Sequence, residues 1–322
     1  MSAVAASLVV LVLWLAAAGA GAPAKGKILI GASSSATWLP ILLADARGFF
    51  AAEGVDVEIR IFRSAPDAAR ALVAGEIQFA GLAVERGIQA TLQGRPVRSV
   101  MAIGNYPPST IIVRADAPII PGDLAALKGK TIGIVPGGWS EILVRFLVKK
   151  AGLAPGDVKM LSTPDPTTMF AALERRQVDM LSAIEPVQSR ALVEGRGKIY
   201  FDLMDPTQLG QVWPRPFVAT SLQATDAYLR VNRAATERVI RGIQRALDLL
   251  YRTPDQAVDY WAQQAPGVPK EVWSLAVKRL LVTWSRNGTL TPAAVANVQE
   301  LLLEYEIISR VLPFSEVVWQ PQ

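Results

Sequence analysis

Two glycines, a tryptophan and a serine follow the apolar run KTIGI, in the segment VPGGWSE at residues 135–141. Gly137 and Gly138 carry no side chain, so a ligand can approach the backbone N–H groups of the helix that begins there. Ser140 is placed to cap that helix, and Trp139 offers a flat apolar surface. The pattern predicts binding of an anionic group at a helix N-terminus. The alternative is a tight strand-to-helix turn without a ligand.

A second segment of the same kind is GASSSATWLP, at residues 31–40. Thr37 is a good N-cap residue for the helix that follows, and Ser34 and Ser35 present hydroxyl groups just before it. Trp38 adds an aromatic surface. Three serines in a row can also serve only to solvate a turn, but a position opposite the glycine segment favours a binding role.

Further candidates lie where strand-like runs end, because ligands of open parallel sheets bind at the carboxyl ends of the strands. Arg63 can pair with an anionic group through two hydrogen bonds, or it can be a solvated charge at the rim. Glu185 can accept a hydrogen bond from a ligand or lock a closed state. At most two of Trp38, Trp139 and Trp213 should touch the ligand. We predict a ligand-binding set of Ser34, Ser35, Thr37, Trp38, Arg63, Gly81, Ala83, Asn105, Gly137, Gly138, Trp139, Ser140, Thr163 and Glu185.

Two polar residues at strand ends are predicted to have structural roles. Ser64 begins a capping box with Asp67, and Asp165 precedes a proline at the first position of a helix. We therefore expect both side chains to cap helices and not to bind a ligand.

The composition narrows the chemistry. The chain has no cysteine and no histidine, which removes Cys and His nucleophiles, His general bases, and the ligands of most zinc and copper sites. Asp, Glu, Lys or Tyr could still act in acid-base chemistry. The 33 basic and 28 acidic residues are intermixed, with a net charge of +5 and no block of like charge. We expect that the protein binds no metal, cofactor or nucleic acid and that it is not an enzyme. An enzyme with Glu185 or Asp165 as its base is the remaining catalytic alternative.

The first 24 residues carry no charge and are mostly apolar. This pattern is typical of a secretory signal, so we expect a signal peptide over residues 1–22 with cleavage near Ala20 or Ala22. No basic residue precedes the apolar stretch. That departure leaves open a start upstream of Met1, or an uncleaved membrane anchor, since the stretch is near the minimum length for spanning a bilayer.

From residue 27 onward, strand-like and helical runs alternate, as in KILIGA, WLPILLADARGFFAAEG, VDVEIRIF, PDAARALVAG and EIQFAGLA. Such alternation predicts parallel βαβ units and an α/β fold. The same series recurs from KTIGIV, and Asp56–Val57 has its counterpart in Asp157–Val158 about 100 residues later. The recurrence predicts two α/β domains of similar build.

The chain must cross between these domains twice, which would make a hinge. We predict residues 27–112 plus 221–322 as the first domain and 113–220 as the second, with the first crossing near Ile112 to Ala115. DAYLRVNRAATERVIRGIQRALDLLYR reads as one long amphipathic helix. That helix and the shorter ones after it should pack on the first domain.

Five segments resemble the solute-binding proteins of ABC importers for aliphatic sulfonates, taurine, nitrate and thiamine pyrimidine precursors. They are LLADARGFFAAEGVDVEI, ALVAGEIQFAG, DLAALKGKTIGI, LVKKAGLAPGDVKML and ALERRQVDMLSAIEP. The resemblance implies a two-domain type II periplasmic-binding-protein fold with its ligand cleft between the domains. It also implies an ABC permease in the inner membrane as partner, a periplasmic location and a monomer.

The ligand that this resemblance implies is a small organic anion, sulfonate-like or carboxylate, held by hinge closure. Alternatives are a neutral heterocycle such as a thiamine pyrimidine precursor, or a role as a membrane-anchored sensing receptor. One branch of the group makes the thiamine pyrimidine with a histidine and a cysteine-rich motif. This sequence has neither, which supports the expectation of a protein that is not an enzyme.

Overall fold

The computed structural model describes residues 26–212 and 216–320. Within them the chain forms two five-stranded sheets with helices packed against them, which confirms the predicted α/β class. The proposed signal peptide and Trp213 lie outside the described residues.

The first sheet is mixed, with its strands in the order β2-β1-β3-β10-β4. β1 pairs in parallel with β2 and β3, whereas β10 runs antiparallel to both β3 and β4. The strands are β1 (Ile28–Ser33), β2 (Val57–Phe62), β3 (Phe79–Ala83), β4 (Val97–Gly104) and β10 (Thr220–Thr225). β1 is largely buried, because helices cover both faces of the sheet.

The second sheet has the equivalent order β7-β6-β8-β5-β9, with β5 as its antiparallel strand. Its strands are β5 (Thr110–Arg114), β6 (Thr131–Ile134), β7 (Lys159–Ser162), β8 (Met180–Ala183) and β9 (Gly197–Asp202). β1 therefore corresponds to β6, and β3 to β8. The recurrence in the sequence reflects two sheets built to one plan.

Helices connect and cover these strands. In the first half of the chain they are α1 (Leu39–Ala46), α2 (Phe49–Ala52), α3 (Ala65–Ala74), α4 (Val84–Leu92), α5 (Trp139–Lys150), α6 (Pro166–Glu174) and α7 (Val187–Val193). The later ones are α8 (Pro206–Val212), α9 (Asp226–Val231), α10 (Arg233–Arg252), α11 (Asp255–Gln264), α12 (Lys270–Leu281), α13 (Pro292–Glu304) and α14 (Phe314–Val317). We call the first sheet with its helices the first lobe, and the second sheet with α5, α6 and α7 the second lobe.

The first crossing between the sheets differs from the sequence-based prediction. The whole of β5, from Thr110 to Arg114, pairs with β8 and β9 of the second sheet. The chain therefore leaves the first sheet between Gly104 and Thr110, and not near Ile112 to Ala115. The hydrophobic pattern of this strand is the same in either sheet, so it gave no sign of which partner the strand would choose.

The predicted long helix after Thr225 is interrupted at Asn232. The side-chain amide of Asn232 donates to the backbone carbonyl of Tyr228. The backbone carbonyl of Asn232 accepts from the N–H and the hydroxyl of Thr236. Asn232 thus ends α9 and begins α10, because a short polar side chain competes with the helical backbone for hydrogen bonds.

The C-terminal helices extend the core of the first lobe. Buried residues of α10, α11 and α12 form one hydrophobic cluster with β1 and α1, among them Leu247, Val258 and Trp273. α13 packs differently, since Val295 and Val298 share a cluster with α4 and with the start of α5. α13 therefore contacts both lobes.

Arg279 of α12 links the first lobe to the second through a buried ionic cluster. Its guanidinium lies 3.1 Å from Oε1 of Glu185 and 3.0 Å from Oδ2 of Asp202, and it donates to the Thr110 hydroxyl at 2.8 Å. Burial raises the pKa of Glu185, and the cation of Arg279 opposes that shift. The Ser189 N–H and hydroxyl complete the shell of the Glu185 carboxylate. The cluster is thus a satisfied ionic joint between the lobes.

We expect Arg279→Met to lower the free energy of unfolding by about 3–5 kcal/mol, because two buried carboxylates lose their cation. Urea unfolding followed by circular dichroism measures the change. Lys270→Met is the matched control, since Lys270 pairs with Asp259 on the surface and its loss should leave the midpoint near that of the wild type. Equal effects of the two substitutions would contradict the assigned role of Arg279.

Candidate functional site

A cleft lies between the two lobes at the carboxyl ends of β1 and β6, which are equivalent strands of the two sheets. The loop after β1 supplies Ser34 and Ser35, and the loop after β6 supplies Gly138. The residues that line the cleft are Ser33, Ser34, Ser35, Thr37, Trp38, Arg63, Ala65, Ala83, Arg86, Pro108, Ser109, Val135, Gly138, Trp139, Ser140, Pro164, Pro166, Ile184 and Thr220. The two segments singled out in the sequence therefore meet in one cavity.

The glycine loop delivers the N-terminus of α5 to this cleft. α5 begins at Trp139, and Gly138 is its N-cap residue in extended conformation. Gly137 adopts a left-handed conformation with φ of 63°, and its N–H donates to the Glu141 carboxylate. The first N–H groups of a helix have no intrahelical partner, so the turn that starts at Gly138 can receive an acceptor from a ligand.

The predicted role of Ser140 as N-cap is wrong. Its hydroxyl donates to the carbonyl of Ser182 at 2.7 Å and accepts from the N–H of Val135 at 2.9 Å. Ser140 therefore ties the loop to the end of β8, because the helix starts two residues earlier than predicted, with Gly138 and not Ser140 as its N-cap. The residue still lines the cleft.

The serine loop is also capped by a different residue than predicted. Ser35, not Thr37, caps the short 3₁₀ helix over residues 36–38, since its Oγ accepts from the Thr37 N–H at 3.3 Å. The N–H of Ala36 donates to the Glu185 carbonyl of the second lobe at 3.2 Å. The N-terminus of the 3₁₀ helix therefore forms a hydrogen bond to the second lobe. The helix N-terminus that faces the cleft is that of α5.

Two buried tryptophans line the cleft from opposite lobes. Trp38 donates its indole N–H to the Ser33 hydroxyl at 2.9 Å and packs against Gly81, where a Cβ would lie 2.6 Å from its ring. Trp139 donates to the carbonyl of Ala219 at 2.7 Å and packs edge-on against Phe217. Both indoles are fixed, so they form rigid apolar walls.

Two arginines of the first lobe reach the second across the cleft. Nε of Arg63 lies 2.9 Å from Oδ2 of Asp165, which also caps α6 as predicted. Nη2 of Arg86 donates to the carbonyl of Pro136 at 2.9 Å. Arg86 was missed in the sequence, although it follows Glu85 in the first turn after the strand-like run EIQFAGLA. Arg63 thus has a carboxylate partner, whereas the hydrogen bond described for Arg86 goes to a backbone carbonyl.

Glu85 lies beside Arg86 and is fully buried. Both of its carboxyl oxygens lack a hydrogen-bond partner among the described residues. A Cβ placed on Gly138 would lie 4.0 Å from Oε1 of Glu85, so the carboxyl group lies behind the glycine loop of the other lobe. Burial raises the pKa of this carboxyl to about 7, and the charge of Arg86 limits the rise.

Two hydroxyl groups in the cleft also lack partners. Ser109 precedes β5 and Thr220 begins β10, and both are buried, with 1% and 3% exposure. Neither hydroxyl oxygen has a hydrogen-bond partner within the described part of the chain. Buried hydroxyls are normally satisfied, so this pair is suited to a polar ligand.

Several predicted ligand residues do not line the cleft. Gly81 accommodates the Trp38 ring, and Gly137 forms the turn beside Arg86. The hydroxyl of Thr163 donates to the Ile134 carbonyl, and Glu185 belongs to the Arg279 cluster. Asn105 donates its backbone N–H to the Thr283 carbonyl. Each occupies a supporting position, because loop ends hold buried polar contacts as well as ligand contacts.

The prediction that Ser64 caps a helix is confirmed, since its Oγ accepts from the Asp67 N–H.

Two further properties bear on the site. Across residues 26–212 and 216–320, three or more acidic side chains do not come together in a way that could hold a metal ion. In the same part of the chain, none of the helices is long and apolar enough to cross a membrane.

The chain belongs to the NMT1/THI5-like family, whose pattern matches residues 35–257. A protein of Brucella abortus, named as a binding protein, is 25% identical over 221 residues, which cover 69% of this chain. The match spans 66% of the length of that relative, just under two thirds.

Solved structures confirm the fold expected from the resemblance, that of type II periplasmic binding proteins. The alkanesulfonate-binding protein of Xanthomonas axonopodis pv. citri superposes with a TM-score of 0.74 at 19% identity, over 91% of this chain and 98% of that one. The nitrate-binding protein of Synechocystis PCC 6803 gives 0.64 at 18% identity, over 76% and 68%. At these identities the likeness establishes the fold.

The expectation that the protein is not an enzyme is overturned by another relative. A 4-amino-5-hydroxymethyl-2-methylpyrimidine phosphate synthase of Aspergillus parasiticus is 24% identical over 253 residues, which cover 77% of this chain and 73% of that one. The relatives thus include proteins named as enzymes beside those named as binding proteins. The lack of histidine and cysteine is no ground for excluding catalysis.

We expect Glu85→Gln to stabilise the protein increasingly as the pH rises. Above pH 4.5 the carboxyl ionises in the unfolded chain, whereas in the folded state it stays protonated up to about pH 7. Glu85 therefore does not reduce the free energy of unfolding of the wild type below pH 4.5. Between pH 4.5 and about pH 7 that free energy falls with rising pH, by roughly 3 kcal/mol in total. Glutamine has no such loss.

Urea unfolding of both proteins at several pH values measures this difference. Glu76→Gln, at an exposed position, is the control and should show none. Parallel pH profiles for wild type and Glu85→Gln would contradict the burial of an unpaired carboxyl group.

Proposed function

We propose that the protein is an extracytoplasmic solute-binding protein of an ABC importer and captures a small organic anion, sulfonate-like or carboxylate, between its lobes. The observation that carries this proposal is the convergence of three features in one cleft. These are the N-terminus of α5 at Gly138, the guanidinium of Arg86, and the unpartnered hydroxyls of Ser109 and Thr220. All three favour negative charge or hydrogen-bond acceptors.

The two lobes would act as domains that close on the ligand. Two connections link them along the chain, one from β4 to β5 and one from β9 to β10. Arg63–Asp165 and Arg86–Pro136 span the cleft at its two sides. Both contacts are formed in the structure, so the lobes would have to move apart about the two connections to admit the ligand and would then close on it again.

The contacts can account for useful affinity. Micromolar binding requires about 8 kcal/mol, and the helix dipole alone supplies only about 0.3–1 kcal/mol. Charge-assisted hydrogen bonds from Arg86 contribute roughly 1.5–3 kcal/mol each. The walls formed by Trp38 and Trp139 add apolar burial for the carbon part of the ligand. An anion with a short apolar tail fits this combination best.

The partner and location follow from the same proposal. A solute-binding protein of this class would release its ligand to an ABC permease of the inner membrane and would work as a periplasmic monomer. A membrane-anchored receptor is the alternative for an uncleaved N-terminal segment. The intact mass of the exported protein distinguishes the two, because cleavage near Ala20 or Ala22 removes the segment.

A second candidate ligand is a pyrimidine. The name of the Aspergillus parasiticus relative supports it, and so do the two fixed indoles of Trp38 and Trp139 that line the cleft. Aromatic walls suit a flat heterocycle.

A thermal-shift screen tests the two ligand classes directly. It would compare ethanesulfonate, propionate and nitrate with 4-amino-5-hydroxymethyl-2-methylpyrimidine, and native mass spectrometry would identify any ligand that co-purifies. Stabilisation by the anions supports the proposal. Stabilisation by the pyrimidine alone would replace the anion with the second candidate, and no stabilisation by any compound would count against capture of either class.

We expect Gly138→Val to weaken anion binding at least tenfold without unfolding the protein. The backbone at Gly138 is extended, and the nearest atoms to an added Cβ are 3.8 Å away, so the side chain fits but fills the cleft. Gly156→Val is the matched control, because a Cβ there meets nothing within 4 Å and the site lies on a surface turn. Calorimetric titration with ethanesulfonate gives the affinities. Unchanged affinity in Gly138→Val would remove the glycine loop from the site.

A further inference from the structure

Arg86 is held between the lobes at the edge of the cleft. Its Nη2 donates to the Pro136 carbonyl, and a Cβ placed on Gly137 would lie 3.4 Å from the same nitrogen. Its Nε is buried and has no hydrogen-bond partner among the described residues. The guanidinium therefore retains unused donor capacity at the point where the glycine loop approaches the first lobe.

The neighbouring carboxyl group of Glu85 is close to Arg86 but forms no hydrogen bond with it. Both oxygens of Glu85 are without partners in the described structure, and the side chain is fully buried. Other acidic groups near the cleft are compensated. Asp165 pairs with Arg63, and Glu141 of α5 pairs with Arg145. Glu85 is the buried acid beside the cleft whose charge is not balanced by a hydrogen-bonded cation.

We propose that Arg86 holds the anionic group of the ligand and that the charge of Glu85 sets how tightly it does so. The inference rests on the proposed function and deepens it, because it assigns the residue that selects negative charge. With Glu85 protonated, the two side chains carry a net charge of +1 and attract an anion. With Glu85 ionised, their net charge is zero and the attraction is lost.

Anion binding should therefore be linked to uptake of a proton by Glu85. Burial places the pKa of this carboxyl at about 7, so the linkage falls within the physiological range. Arg86 is the charged group that acts on Glu85, and Glu141 of α5 and Arg70 of α3 act in turn on Arg86. Glu141 is already paired and Arg70 is exposed beside Asp67, so neither replaces Glu85 as the controlling group.

Calorimetric titration of the full chain with ethanesulfonate and with propionate tests the assignment. We expect wild-type affinity to be constant well below pH 7 and to fall by up to about tenfold per pH unit above it. Titration in two buffers of different ionisation enthalpy should show uptake of up to one proton per anion at about pH 8. Glu85→Gln should abolish both the pH dependence and the proton uptake while still binding the anion.

Substitutions at Arg86 test the other half of the proposal. Arg86→Met should lose anion binding at least tenfold below pH 7, where Glu85 is protonated in the wild type, and Arg86→Lys should recover part of it because the charge is restored. Arg70→Met removes an equal charge one helix away and should keep affinity within about twofold. Circular dichroism and melting temperature confirm that each variant is folded.

The outcomes separate this inference from the proposed function. Anion binding that is independent of pH in the wild type, or proton uptake that persists in Glu85→Gln, overturns the role of Glu85. Full binding by Arg86→Met overturns the role of Arg86. In both cases anion capture itself would still stand. Failure of both anions to bind the wild type at any pH overturns the anion class and this inference with it.

Discussion

Burial of charged groups between the two lobes is the constraint on which the structure depends. At Arg279 the constraint is met, because the guanidinium faces Glu185 and Asp202, and hydroxyl and backbone N–H groups complete the shell. At Glu85 it is not met, since the carboxyl group is equally buried but has no partner in the described structure. An ionic cluster whose groups are all paired stabilises the contact between the lobes. A buried carboxyl group without a partner marks a place where a proton or a ligand must supply the missing interaction.

The two sheets share one strand order, yet their equivalent loops have taken different roles. After β1, the first N–H group of the 3₁₀ helix, that of Ala36, donates to the Glu185 carbonyl of the second lobe. The loop after β6 places Gly138 in the lining of the cleft, and α5 begins directly after it. The internal similarity of the fold therefore gives two scaffolds for one site, with the first lobe supplying charge and the second supplying the helix N-terminus.

The relatives of this chain include a protein named for binding and one named for synthesis of a pyrimidine phosphate. What distinguishes such uses is the set of side chains at the cleft. Here that set is rich in hydroxyls and backbone donors, has one arginine free of a carboxylate partner, and is walled by two fixed indoles. This chemistry suits recognition of an anion, and under the role proposed for Glu85 the buried carboxyl group would couple recognition to pH.

The sequence by itself determined the α/β class, the repeated order of elements, and the caps at Ser64 and Asp165, because these depend on residues within a few positions of each other. It also located both loops that line the cleft. The tertiary structure decided that Ser140 binds Ser182 across 42 residues, that β5 joins the second sheet, and that Arg86 and Glu85 face the glycine loop. Those outcomes depend on strand register and on contact between the lobes, and neither leaves a trace in the local pattern of residues.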